Sequence, residues 1–155
     1  MVYNLVKLLH VLAIIFWLGG MAYTLFFVRP ALAGLPPPER LRTLRGLLAR
    51  FLGAVLAAIL IALASGAWML AEVASQVRST GGSLRIPAGW HIMAGLGVVM
   101  AVIYFYVRYA LFTRLNEAVE RADWPEGARA AGRVRAWVAV NLALGVVIVA
   151  AVTLG

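Results

Sequence analysis

Apolar residues crowd the chain in four long runs, near residues 5 to 28, 51 to 74, 88 to 112 and 134 to 154, separated by short stretches that collect Arg, Pro, Gly and Asp. Each run reaches the roughly 20 residues that carry an α-helix across the hydrocarbon of a bilayer. The pattern predicts an all-α polytopic membrane protein: one antiparallel four-helix transmembrane bundle over residues 1–155, with almost nothing left for a soluble domain.

The interruptions refine this. Pro30 in "RPAL" lacks an N–H donor and is expected to end the first helix, and "LPPPER" makes a stiff turn. From Pro38, "ERLRTLRGLLARF" sets Leu41, Leu44 and Leu48 on one face and Arg40, Arg42 and Arg45 elsewhere, as in an amphipathic stub lying at the interface before the second span. A solvated, snorkelling helix end is the plainer reading. "RSTGGSLRIPAG" breaks the periodicity, a third helix starts at Pro87 or Ala88, and "TRLNEAVERA" prolongs it beyond the membrane. In "ADWPEG", Asp123 caps the last helix and Glu126 completes a D-x-x-E pattern. Asn141 is the only strongly polar side chain in the fourth span. Gly19, Gly20, Gly53, Ala57, Gly66, Gly95, Gly97 and Gly145 are suited to close helix approach in lipid.

At 64% hydrophobic, the chain is well above the roughly half that soluble domains carry. Its net charge of +8 would suggest nucleic acid in a soluble protein, but position decides otherwise. Arg29, Arg40, Arg42, Arg45, Arg50, Arg108, Arg114, Arg121, Arg129, Arg133 and Arg135 flank the first and third connections, whereas only Lys7, Arg78 and Arg85 lie at the opposite ends. Short basic loops stay in the cytoplasm, so both termini and the middle loop are expected outside a bacterial-type inner (plasma) membrane. The basic excess then marks topology and contact with the lipid bilayer, with no nucleic acid partner. The absence of cysteine excludes disulfides, thiolate metal sites and Cys nucleophiles. An A-x-A in "RPALAGLP" looks like a signal-peptidase site, but the apolar run before it is longer than a signal h-region and Arg29 and Pro30 interrupt the approach. No P-loop, Gly-rich dinucleotide turn or Ser/His/Asp set is present, which sets nucleotide chemistry and hydrolysis aside.

The two histidines, His10 and His91, both lie in membrane helices. Each falls one to one and a half turns inside its helix, a depth of roughly 5 to 8 Å. In an up-down bundle the first and third helices run the same way, so both imidazoles reach one layer. His10 precedes Arg29 by nineteen residues and His91 precedes Arg108 by seventeen, a weak symmetry of two helix hairpins. Facing histidines in a bundle are suited to haem b, with iron held axially. Gly95 would leave room for the macrocycle, Trp17 would line it, and Lys7, Arg78 or Arg85 would pair with propionates. Such a protein would be an electron-transfer oxidoreductase working with quinone or another redox protein. Copper is the alternative, with His10, His91 and Met69 as ligands. The bland alternatives are a histidine bonded to a carbonyl or Ser across the bundle, and a structural bundle without cofactor. Homo-oligomers are compatible with all of these.

"LLHVLAIIFWLGGMAYTLFFVRPAL", with its H-x6-W-x-G-G-M core and terminal R-P-A-L, resembles the first helix of CopD-type membrane proteins. "SGAWML", "DWPEGARAAGRVRAWVAVNL" and the His91 helix are similar to short, four-helix members of that family. The resemblance covers nearly the whole chain and implies an inner-membrane protein of copper resistance or uptake. A histidine early in helices one and three is also similar to HemJ-type protoporphyrinogen oxidases, implying haem at His10 and His91. The chain departs from that pattern in having Met93 and Ala94 where a Lys follows the second His, and no His at the end of helix one.

Overall fold

The computed structural model describes residues 1–81 and 87–154, and these are helical apart from short turns. The elements are α1 (Val2–Tyr23), a π-helical segment Thr24–Val28, α2 (Arg29–Leu32), α3 (Pro37–Ser79), α4 (Ala88–Tyr106), a second π-helical segment Val107–Leu111, α5 (Phe112–Glu120) and α6 (Trp124–Leu154). They join into four rods, Val2–Leu32, Pro37–Ser79, Ala88–Glu120 and Trp124–Leu154, each long and apolar enough to cross a membrane. The antiparallel order puts both termini and the α3–α4 connection at one end, called here the terminal end, and the arginine-rich turns at the other, the basic end.

Pro30 does not end the first rod. The Arg29 N–H bonds the Thr24 carbonyl, five residues back, and this widened turn stands immediately before the proline ring, so the helix runs on to Leu32. The third rod widens similarly, with the Phe112 N–H on the Val107 carbonyl. Each hairpin thus carries a π turn near the basic end of its first rod, in keeping with the weak symmetry of the two halves. Such turns expose no local sequence signal, and they recur at functional places in helices.

The second rod is one unbroken helix of 43 residues, about 65 Å long at 1.5 Å per residue and twice the thickness of the hydrocarbon. The interfacial stub expected from residues 38–50 is therefore corrected. Leu41, Leu44 and Leu48 are only 1–4% exposed, because α5 and the start of α6 extend alongside and cover them with Leu115, Ala118 and Val119. Gly127 permits this closeness, since a Cβ there would lie 3.0 Å from Leu41. The Arg42 guanidinium lies 5.1 Å from the Trp124 ring centre, and Arg45 lies 3.8 Å from the Glu120 carboxylate.

Caps explain where the rods stop. The Glu126 N–H donates to Asp123 Oδ1 at 3.1 Å, the expected N-cap, while the Glu126 carboxylate turns to Arg129 at 3.1 Å. α5 closes with the Ala122 N–H on the Val119 carbonyl and the Asp123 N–H on the Ala118 carbonyl, the Schellman arrangement.

α1 packs along α3 and α4 along α6, and α6 also meets α1 and α3. At Gly89 backbone meets backbone, and a Cβ there would lie 2.8 Å from the Ala151 carbonyl oxygen; Gly145 receives the side chain of Leu18 and Gly20 that of Phe51. Gly19, Gly53, Gly95 and Gly97 meet nothing within 4 Å, so these four do not form the helix contacts expected of them. Tyr104 Oη donates to the Leu52 carbonyl at 2.6 Å and Asn141 Nδ2 to the Met100 carbonyl at 3.3 Å, tying the third rod to the second and fourth. The Asn141 Oδ1 has no partner among the described residues. Asn141 borders a cavity of about 20 Å³ with Trp17, Met21 and Tyr104, the size of one water.

Candidate functional site

His10 belongs to the inward stripe of the first rod, His10–Ala13–Trp17–Met21–Thr24, whose last four members are buried. That spacing of three and four residues turns one helix face to its neighbours. Opposite His10 on α3 stands the small pair Ser65–Gly66. A Cβ at Gly66 would lie 3.3 Å from the imidazole Cε1, so glycine admits the ring edge-on.

The hydrogen bonds define the state of that ring. His10 Nδ1 lies 2.9 Å from the Ala62 carbonyl oxygen and 2.9 Å from Ser65 Oγ. A carbonyl only accepts, so Nδ1 carries the proton and shares it between the two oxygens. Ser65 in turn donates its own hydroxyl to the Ile61 and Ala62 carbonyls. In the neutral imidazole the lone pair is then on Nε2, which has no hydrogen-bond partner among the described residues. A ring oriented through Nδ1–H on a carbonyl, with Nε2 free, is the arrangement that commonly supports a metal-ligating histidine. It also satisfies a histidine in lipid by a carbonyl and a serine across the bundle, the bland alternative of the sequence analysis.

The structure does not bring His10 and His91 together. His10 is turned onto α3, whereas His91 is exposed on α4, and α1 and α4 are not packing partners. Equal depth along parallel rods did not translate into a shared interior, because the rods pair as sequential hairpins. Gly95, expected to leave room beside His91, is exposed and faces open surface. Trp17 is 3% exposed two turns below His10, in the wall of the small central cavity. Met69 is half-buried and follows Ser65 by one helical turn, on the face of α3 that receives His10. Lys7 and Arg78 are exposed and form no ion pair among the described residues; Arg85 lies outside those residues. Glu72 accepts from Gln76 Nε2 at 2.9 Å and pairs with neither Lys7 nor Arg78. No group of three or more His, Cys, Asp or Glu is assembled among the described residues.

The sequence analysis named Gly66 for close helix approach and a carbonyl or Ser as a histidine's partner, but did not assign Ala62 or Ser65 to His10. A Ser-Gly pair in the middle of an apolar helix was the available signal, since a hydroxyl in lipid requires an acceptor or a donor nearby.

The model of one family, Copper resistance protein D, matches residues 45–154. The chain belongs to the CopD family. The matched stretch holds the second rod from Arg45 onward and the third and fourth rods, including Ser65, Met69 and His91; the first rod with His10 precedes it. No curated protein and no solved structure matches the chain.

Proposed function

We propose that this CopD-family protein handles copper within the membrane, with His10 Nε2 as the nitrogen that meets the ion. The observation that carries this reading is the bond pair on His10 Nδ1, which anchors the ring and leaves Nε2 its lone pair. Copper(I) accepts imidazole and thioether donors. Met69, one turn from Ser65 on the same face of α3, is the second donor in this reading, and copper is cargo rather than a resident cofactor. The positive-inside asymmetry supports a topology with the basic end in the cytoplasm of a bacterial-type plasma membrane and the His10 end outside.

The haem b reading, and with it electron transfer to a quinone or redox partner, required His10 and His91 on facing helices. The helix pairing gives it no support, and the family description favours copper.

Competition against a chromophoric Cu(I) chelator, with purified protein in detergent, tests the proposal. Wild type is expected to take up Cu(I) without any Soret band. His10→Ala should abolish uptake, Met69→Leu should weaken it, and His91→Ala should leave it unchanged. Ser65→Ala keeps the Ala62 carbonyl as anchor, so its loss belongs at the low end, about tenfold, of what second-sphere changes cost. Unchanged Cu(I) affinity in His10→Ala overturns the site, and a Soret band lost in both histidine variants restores haem.

A further inference from the structure

At the basic end of the first rod, Arg29 turns inward between helices instead of out to water. Its Nη2 donates to the Ala131 carbonyl of α6 at 3.0 Å, and its Nε is buried with no partner among the described residues. Nη1 likewise has no partner among the described residues, and of the guanidinium nitrogens only Nε is both buried and unpaired. The cation that α6 brings to this contact is Arg135. Arg135 follows Ala131 by one turn of α6, so it projects from the helix face that Arg29 touches. Neither arginine forms a salt bridge among the described residues.

Two like charges at one helix contact, one of them half-buried, are unfavourable unless an anion sits with them. Arg29 ends an apolar run of more than twenty residues, which sets the pair at headgroup depth. An arginine fork matches the geometry of a phosphate oxygen pair. Basic clefts between membrane helices on the cytoplasmic side hold anionic lipid heads for these reasons.

We infer that Arg29 and Arg135, at the contact of the first and fourth rods, bind a phosphate-bearing anion, the phosphodiester of an anionic lipid. This site is separate from the copper reading, being at the opposite end of the first rod from His10, so either can fail alone.

Native mass spectrometry of the full chain tests it, with phosphatidylglycerol, phosphatidylcholine and inorganic phosphate as probes. One phosphatidylglycerol per chain should survive delipidation in preference to phosphatidylcholine. Arg29→Gln and Arg135→Gln should each reduce its retention about fivefold or more, as expected for one arginine contact. Arg133→Gln, two residues from Arg135 on another face of α6, should not. If inorganic phosphate displaces the lipid at millimolar concentration, the anion site stands and a soluble phosphate is its ligand. If Arg29→Gln fails to fold, Arg135→Gln carries the test, because its side chain is exposed and holds no helix contact. Equal retention of both lipids, or retention unchanged in Arg135→Gln, overturns the site.

Discussion

Ala122 holds a φ of 54°, the left-handed region that costs a residue with a Cβ roughly 1 kcal/mol and that glycine occupies freely. It occupies the residue after the α5 cap, where glycine is the usual choice. Ala122→Gly is therefore expected to raise stability by about 1 kcal/mol, read as a higher midpoint of thermal unfolding in detergent. Asn141 is the opposite case: a buried amide with one bond made and one acceptor open. Replacing it by Leu fills the cavity but strips the Met100 carbonyl of its extra donor, and the expected loss is about 1 kcal/mol, the worth of one such bond in a membrane interior. At this scale the sequence spoke clearly about caps. Asp123 and Glu126 stood at the spacing that capping requires, and the bond is there. For His10 it offered the kind of partner, a carbonyl or Ser, but not which one, because that depends on which helix lies opposite, a property of packing.

Among elements, the four spans and their order followed from apolar run length, a property that lipid imposes on each helix separately. What the runs could not convey was where rods continue. Pro30 reads as a stop in any single helix, and the π turn ahead of it is a geometric remedy with no residue signature. The leucines of residues 41–48 looked like an interfacial stripe because their cover, α5 and α6, lies more than sixty residues away in the chain. Helix contacts can be tested at the glycines. Gly89→Ala places a Cβ against the Ala151 carbonyl and should cost about 1–3 kcal/mol by forcing α4 from α6. Gly95→Ala meets nothing within 4 Å and should be neutral or slightly stabilising, since alanine favours helix by up to about 1 kcal/mol over glycine. Comparing the two melting midpoints checks that Gly89, and not Gly95, is the helix contact.

For the whole molecule, charge distribution is the one sequence feature that addresses orientation. Since the chain has no cysteine, single substitutions report sidedness without background. Thr80→Cys in intact cells should react with a membrane-impermeant maleimide, and Ala128→Cys should react only after the membrane is permeabilised; the reverse pattern inverts the proposed topology. The pairing of rods within hairpins was not readable from depth. Depth orders residues along the membrane normal, whereas a site between helices also depends on rotation about each axis and on which neighbours touch.

The second rod has neither a proline past its first turn nor a widened turn of the kind that interrupts the first and third. From Ser65, beside His10, to Leu41 it spans about 36 Å of uninterrupted helix. A tilt of about 5° at the histidine end would swing the leucine stripe by roughly 3 Å at the other, so occupancy of one extremity can be felt mechanically at the far one without any messenger crossing between them.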